Sequence, residues 1–124
     1  MRILALDHGG RYIGVAISDP EKTIAFPREV FEYKNENEII EYLKKIISQE
    51  KIGEIVVGWP LSMGGNETEQ TRKTNTFIEL LEANLSLSIK KMDERWTTAQ
   101  AKRSDGDHSV AAQIILQTYL DMIK

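Results

Sequence analysis

The sequence predicts an α/β domain with a mixed five-stranded sheet and helices on both faces. Three observations predict it: strand-like runs separated by turn residues at the start, then alternating helical and strand-like segments, and an ordinary globular composition. The 124 residues are 41% hydrophobic and 28% charged, which is typical of one domain, residues 1–124, with a single sizeable core. Three antiparallel strands followed by parallel crossovers give a mixed sheet.

The first part of the chain predicts three antiparallel strands. Residues 2–6 form an apolar run that ends at Asp7 and a glycine pair, and residues 12–18 are rich in small and β-branched side chains. These two runs predict a hairpin with a glycine turn. A third strand is predicted over residues 23–33. Pro27 lies within it and has no backbone N–H to donate, which predicts an edge strand or a bulge.

The rest of the chain predicts three helices and two strands. Asn35 and Glu38 resemble an N-capping pair, and apolar residues follow them at helical spacing, so an amphipathic helix is predicted over residues 37–50. The remaining predicted elements are a buried parallel strand at 54–58, a loop at 59–66, a helix at 67–83, a strand at 85–92 and a helix at 110–123.

The composition excludes several kinds of site. The chain has no cysteine, so disulfides, thiolate metal sites and thiol nucleophiles are excluded. The opening apolar run is too short for a signal peptide, and we expect a cytoplasmic protein with no membrane segment. The net charge of −3 is not typical of a nucleic-acid-binding protein, although a local basic patch is sufficient to bind phosphates.

Asp7 is the first candidate site residue. Strand alternation places it on one face with Ile3 and Ala5, and places Leu4 and Leu6 on the other. A carboxylate that continues a core-facing row needs a partner or a cation, because an unpaired buried charge is costly. The alternative is that Asp7 supplies turn hydrogen bonds before the two glycines.

Asp93 and Glu94 are the second candidate group, and Arg95 follows them directly. They end a predicted strand, where ligand sites in open α/β sheets tend to lie. Neighbouring residues on a strand point to opposite faces, so we expect one of the two acids to face Asp7. The alternative is a surface ion pair at the end of a strand.

A third group of polar residues, SDGDHS at 104–109, precedes the last helix. It supplies either an N-cap or two carboxylates and an imidazole that complete a metal site. Oxygen ligands from three separate elements fit Mg²⁺ or Mn²⁺, which retain waters and bind substrate phosphates. Pairs of such ions stabilise the attacking and leaving oxygens of a phosphodiester.

Four ordered motifs resemble the YqgF family, also called RuvX. They are LDHGGRYIGVAISD at 6–19, VVGWPLSMGG at 56–65, DERWTTA at 93–99 and AAQIILQTYL at 111–120. The resemblance implies an RNase H-like fold close to the RuvC-type Holliday junction resolvases. It also implies a nuclease that matures the 5′ end of the small-subunit ribosomal RNA precursor.

The resemblance also implies site residues. Asp7 and Glu94 match the family's catalytic, metal-binding acids. His108 stands where the family usually has an aspartate, and the segment 101–107 is shorter than in the family. We therefore predict Asp107 as the third metal ligand, with Asp105 as an alternative, and His108 as a further catalytic residue, either a ligand or a proton shuttle.

Basic and aromatic residues flank the acidic motif. Arg95, Lys102 and Arg103 are predicted to bind substrate phosphates. Trp59 and Trp96 either stack on unpaired bases or cover the core.

The leading hypothesis is an Mg²⁺- or Mn²⁺-dependent endonuclease that acts on RNA as a monomer or weak dimer. One alternative is a resolvase of four-way DNA junctions, which normally needs a symmetric dimer. The other is a non-catalytic nucleic-acid-binding factor for ribosome assembly.

Overall fold

The structure is a computed structural model that describes residues 1–95 and 97–123, apart from the side chains of residues 100 and 104. Its elements in chain order are β1 (Arg2–Gly9), β2 (Tyr12–Ser18), β3 (Ala25–Glu32), α1 (Glu36–Glu50), β4 (Ile52–Trp59), α2 (Glu69–Asn84), β5 (Ser88–Asp93), α3 (Ala99–Ser104) and α4 (His108–Met122). The described strands form one sheet in the order β3-β2-β1-β4-β5.

The strand directions confirm the predicted mixed sheet. β2 pairs antiparallel with both β1 and β3, whereas β4 pairs parallel with β1 and with β5. β3 is therefore an edge strand, as Pro27 predicts. The β2–β3 register shifts between Val15, which is opposite Glu29, and Ala16, which is opposite Pro27. The predicted bulge is confirmed there.

The prediction that β1 ends at Leu6 is wrong, because pairing with β2 continues to Gly9. Asp7 is opposite Gly14, and Gly9 is opposite Tyr12. The left-handed conformation of the turn falls on Gly10, with φ of 58°, where a glycine has no Cβ to clash. Asp7 is consequently a residue of the strand itself, and the turn begins three residues after it.

The helix starts are set by their caps. The Asn35 side chain accepts a hydrogen bond from the Glu38 N–H at 3.0 Å, which confirms the predicted capping pair. Thr68 and Thr71 form a reciprocal capping box at the start of α2, so that helix begins at Glu69 and not at the predicted residue 67. The six-residue α3 was not predicted, because so short a segment shows no helical period.

Two hydrophobic cores lie on opposite faces of the sheet. Leu4 and Leu6 pack with α1 and α2 on one face, while Ile3 and Ala5 pack with α4 on the other. This confirms the predicted alternation along β1 and the helices on both faces. Asp7 lies at 1% exposure and continues the row that faces α4.

Within the described residues, no helix combines the length and apolar character that crossing a membrane would require.

Candidate functional site

Glu94 reaches Asp7 across an intervening strand. It follows β5 directly and is fully buried, at 0% exposure, but β4 lies between β1 and β5. Residue 58 on β4 is a glycine, and a Cβ built there would lie 2.5 Å from Glu94 Oε2 and 2.5 Å from Ile115 Cδ1. The missing side chain therefore leaves the space that the Glu94 carboxylate occupies. Gly58 therefore belongs to the site, although nothing in its sequence context predicts this role.

Arg103 bridges the two acids. Its Nε donates to both carboxylate oxygens of Asp7, at 2.9 and 3.0 Å. Its Nη2 donates to Asp7 Oδ1 and to Glu94 Oε1 at 2.6 Å. The guanidinium thus lies between the carboxylates, in a geometry that Arg forms well because its donors are a planar fork. The sequence placed Arg103 among phosphate-binding residues and gave no indication of this bridge.

Burial and neighbouring charges shift the pKa values of Glu94 and Arg103 in opposite directions. Burial raises the pKa of Glu94, and the positive charge of Arg103 opposes that rise. Burial alone would lower the pKa of Arg103, but the hydrogen bond to Asp7 and the charge of Asp7 raise it above its ordinary value. Arg103 is therefore a permanent cation. With both carboxylates ionised, the two acids and the one guanidinium would carry a net charge of −1.

His108, the first residue of α4, also faces Asp7. Its Nδ1 lies 3.5 Å from Asp7 Oδ2, and among the described residues this buried nitrogen has no hydrogen-bond partner. Its ring lies parallel to that of Tyr12, with centroids 6.1 Å apart. His108 precedes the buried Ala111, Ala112 and Ile115 by three, four and seven residues, which is the spacing of one helix face. This spacing was the signal that could have placed His108 against the core.

Asp107 and Asp105 are both exposed. Asp107 occupies the N-cap position of α4, but within the described residues its side chain makes no capping hydrogen bond. The structure brings Asp7, Glu94, Arg103 and His108 together, and it leaves Asp107 outside this cluster.

Of the two adjacent acids, Glu94 lies beside Asp7 and Asp93 does not, as strand geometry predicts. Asp93 turns away from Asp7 and binds Arg95, whose Nε lies 2.9 Å from Asp93 Oδ2. Arg95 Nη1 also reaches the carbonyl of Met63 at 3.5 Å. Lys102 precedes Arg103 on α3 and is half-buried.

Trp59 covers the core on the face opposite Asp7. It packs against the core beneath α1 and α2, and its Nε1 donates to Asn75 Oδ1 at 2.9 Å. Lys91 Nζ lies 4.8 Å from the ring centroid. These contacts support the core-covering alternative, and base stacking by Trp59 stays a prediction. Trp96 lies outside the described residues.

His8 is separated from the acids by the sheet. Its ring stacks on Phe77 with centroids 4.4 Å apart, and its Nε2 lies 3.1 Å from the Tyr33 hydroxyl. Burial lowers the pKa of His8 to about 4, so it is neutral at pH 7. Its contacts lie on the side of α2, whereas His108 lies on the side of the acids.

The acid pair fits a divalent, oxygen-preferring cation. Mg²⁺ is commonly held by one or two carboxylates together with waters and substrate phosphates, and Asp7 and Glu94 supply two. Among the described residues, Glu94 Oε2 is buried with no hydrogen-bond partner, and two acids share the one guanidinium of Arg103. In the same part of the chain, no three His, Asp or Glu side chains form a group able to hold a metal ion. Among the described residues, the carboxylates of Asp7 and Glu94 are the oxygen donors that lie together.

A family model described as RuvX, Holliday junction resolvase, matches residues 1–122. The chain belongs to the RuvX family. The resemblance inferred from the four sequence motifs is thereby confirmed.

Two similar relatives of the RuvX chain carry the name "Putative pre-16S rRNA nuclease". The protein of Dictyoglomus turgidum is 42% identical over 135 positions, covering 99% of this chain and 96% of the relative. That of Maridesulfovibrio salexigens is 38% identical, covering 97% and 98%. The first alignment is longer than this chain of 124 residues, so the relative has residues without a counterpart here. Whether the segment 101–107 is the shortened one stays a prediction.

Solved structures with the same fold include RuvC of Thermus thermophilus in complex with a Holliday junction substrate. It superposes with a TM-score of 0.62 at 10% identity, covering 99% of this chain and 95% of that one. The large terminase nuclease of the thermophilic phage G20c superposes with a TM-score of 0.53 at 11% identity, covering 97% and 56%. At these identities the likeness concerns the fold, and it confirms the predicted RNase H-like architecture.

Proposed function

We propose that this RuvX protein is an endonuclease that hydrolyses phosphodiester bonds in the precursor of 16S ribosomal RNA, using Mg²⁺ or Mn²⁺. The observation that carries the proposal is the convergence of two buried carboxylates, Asp7 and Glu94, beside the same guanidinium. The names of the relatives at 42% and 38% identity support the choice of RNA. With that substrate we expect the protein to act in the cytoplasm, as a monomer or weak dimer.

Asp7 and Glu94 would hold the ion through carboxylate oxygens. Such an ion, when bound, supplies Lewis-acid activation of the attacking water and charge stabilisation for the leaving oxygen. Asp7 is fixed by its strand pairing with Gly14, and Glu94 by the close contact with Gly58. Both acids are therefore pre-positioned, which limits the reorganisation needed when a substrate phosphate arrives.

His108 is suited to moving a proton beside the acids. Its buried Nδ1 faces Asp7 at 3.5 Å, and the ring nitrogens of an imidazole can accept and donate a proton. In the proposed reaction it would accept a proton from the attacking water as the water oxygen bonds to phosphorus, and would pass that proton to the oxygen that leaves phosphorus. The third-ligand role of Asp107 stays a prediction, since its exposed side chain would have to turn toward the acids.

Arg95 and Lys102 would contact substrate phosphates. Arg95 is 24% exposed and already neutralised in part by Asp93 at 2.8 Å, so an incoming phosphate would share its guanidinium with that carboxylate. Phosphate contacts of this kind position a nucleic acid without reading its sequence.

The test is cleavage of a precursor-like RNA and of a four-way DNA junction with Mg²⁺ or Mn²⁺. We expect Asp7→Asn and Glu94→Gln each to reduce RNA cleavage by at least about 100-fold, since each removes a charge at the reacting centre. Glu41→Gln is the matched control, because Glu41 is an exposed residue of α1 on the opposite face of the sheet. Metal-dependent cleavage that survives both site substitutions would refute the assignment of the acids.

The description of the matching family as Holliday junction resolvase favours a second candidate substrate, the four-way DNA junction. Symmetric cutting of a junction by a dimer, without cleavage of the RNA, would replace the first proposal with this one. Tight RNA binding with no cleavage by any variant or ion would favour the ribosome-assembly alternative.

A further inference from the structure

Arg103 occupies the position that a divalent ion bridging the two acids would take. Both oxygens of Asp7 accept from its Nε at 2.9 and 3.0 Å, and Glu94 Oε1 accepts from its Nη2 at 2.6 Å. The remaining oxygen, Glu94 Oε2, is buried against Gly58. Three of the four carboxylate oxygens are thus already used by one cation of the chain itself.

A guanidinium and a divalent ion compete for these oxygens. Mg²⁺ needs carboxylate oxygens at about 2.0–2.1 Å in near-octahedral geometry, and three of the four oxygens already accept hydrogen bonds from Arg103. Two cations held a few ångströms apart in a buried site would also repel each other, because the low local dielectric strengthens the interaction. Binding of the ion therefore requires Arg103 to leave the acids.

The element that carries Arg103 is suited to such a movement. α3 has six residues, and in the described structure its N-cap residue, Thr98, makes no side-chain capping hydrogen bond. Helices of this length have little stability of their own in water. Its first residue, Ala99, is buried in the core beneath α4, whereas its far end leads to Gly106, which has φ of 86° and open space around it. The end that carries Arg103 is followed directly by the exposed residues Asp105 and Gly106.

Once Arg103 leaves, its permanent charge must be stabilised by water or by an anion in place of the carboxylates. A phosphodiester is the natural replacement: it matches the guanidinium fork as well as a carboxylate does. The side chain is 19% exposed, so a phosphate at the surface of the site can reach it without unfolding the core.

We propose that Arg103 competes with the divalent ion for Asp7 and Glu94, and that a substrate phosphate draws Arg103 away and so admits the ion. This inference rests on the proposed nuclease function, because it describes how binding of the ion would be regulated. The free protein then binds the ion weakly, and nucleic acid and ion strengthen each other's binding by the same factor, as thermodynamic linkage requires. The catalytic centre is thereby completed when the substrate is present.

The test measures Mn²⁺ binding directly, by the loss of the free-ion electron paramagnetic resonance signal. Wild-type protein is titrated alone and with a short single-stranded RNA, and the RNA alone serves as the blank. Arg103→Gln is titrated in the same way, without and with RNA. Arg103→Lys is included because it retains the positive charge but lacks the planar guanidinium that donates to both acids. Arg28→Gln is the matched control, since Arg28 pairs with Glu50 at 2.8 Å and lies outside the site.

We expect Arg103→Gln to bind Mn²⁺ at least about tenfold more tightly than wild type, within the usual range of coupling between sites. RNA should tighten Mn²⁺ binding to wild type by a similar factor, but should have a smaller effect on Arg103→Gln. Arg103→Lys should fall between them, and Arg28→Gln should match wild type. Equal Mn²⁺ affinity in wild type and Arg103→Gln, without RNA, would overturn the proposal.

Removal of the Arg103 guanidinium leaves two buried carboxylates without the cation that bridges them. One outcome is therefore that Arg103→Gln folds only when an ion is added. Circular dichroism and thermal unfolding with and without Mn²⁺ address this case. Recovery of the folded signal by Mn²⁺, but not by a sodium salt at the same ionic strength, would support the competition. Failure of Mn²⁺ to restore or stabilise the fold would count against it.

Failure of this inference is distinguishable from failure of the proposed function. Metal-dependent RNA cleavage with no effect of Arg103→Gln on Mn²⁺ binding retains the nuclease and refutes the competition. Coupled binding of RNA and Mn²⁺ without cleavage retains the competition and refutes the nuclease.

Discussion

Replacing Gly14 with alanine tests how closely α4 must approach the sheet. Gly14 lies on β2 opposite Asp7, and a Cβ there would lie 2.9 Å from the Cβ of His108 and closer still to its carbonyl group. Non-bonded carbons prefer a separation of about 3.5–4.0 Å, so the first turn of α4 would have to move by on the order of 1 Å. Backbone, unlike a side chain, cannot relieve this clash by changing rotamer.

The cost follows from overpacking. Extra atoms in a packed interior cost typically about 1–3 kcal/mol, and a clash with backbone belongs at the upper end. For 124 residues an unfolding entropy of about 2.1 cal/mol/K per residue gives about 0.26 kcal/mol/K, so 3 kcal/mol lowers Tm by about 11 °C. Scanning calorimetry measures Tm, and amide chemical shifts should change most at the start of α4.

Gly9→Ala is the matched control. A Cβ at Gly9 would approach the same residue, but at 3.7 Å from His108 Cε1, which is ordinary contact. Because alanine also restricts the unfolded chain, we expect Gly9→Ala to change stability by between zero and about +1 kcal/mol. If the Tm values of the two variants agree within about 2 °C, which is under 1 kcal/mol here, the close approach of α4 is not a constraint on the fold.

Three further changes test local features. Asn35→Ala removes the acceptor of the Glu38 N–H and should lower the free energy of unfolding by about 1 kcal/mol, measured by urea titration. Lys51→Gly should instead stabilise the protein by up to about 1 kcal/mol, because Lys51 ends α1 with φ of 55°, where glycine is unstrained. Loss of stability in Lys51→Gly would contradict this. Hydrogen bonds from Ile24 and Thr23 lower the pKa of Asp19 to about 2. The stability that Asp19 contributes should therefore be complete above about pH 4 and be lost as pH falls toward 2, so acid titrations of wild type and Asp19→Asn should converge over that interval.

The sequence predicts the sheet well because its signals are local. Alternation along β1 assigned Leu4 and Leu6 to one core and Ile3 to the other, as the structure shows. The end of β1 was misplaced because turn-forming residues begin at Asp7, whereas pairing with β2 continues to Gly9. Strand ends depend on the partner strand, which composition does not encode.

Part of the site was also accessible from the sequence. Asp7 and Glu94 follow from motif and strand position, and the spacing of His108 from Ala111 and Ala112 places it on the buried face of α4. The bridge by Arg103 depends on how α3 turns back over the sheet, which six residues of helix do not reveal. Buried acids require a partner or a cation. The sequence therefore predicted a positive group beside Asp7, but it did not predict that Arg103 supplies it.

The site is built from close approaches on both sides of Asp7. Its strand has β2 on one side and β4 on the other, and each neighbour has a glycine where the site requires space. Gly14 admits the first turn of α4, which brings His108, and Gly58 admits the carboxylate of Glu94. Side chains at these two positions would separate the acids from each other or from the imidazole. The surroundings of Asp7 therefore depend on Gly14 and Gly58. Neither has a reactive side chain, but together they determine which groups can reach the carboxylate.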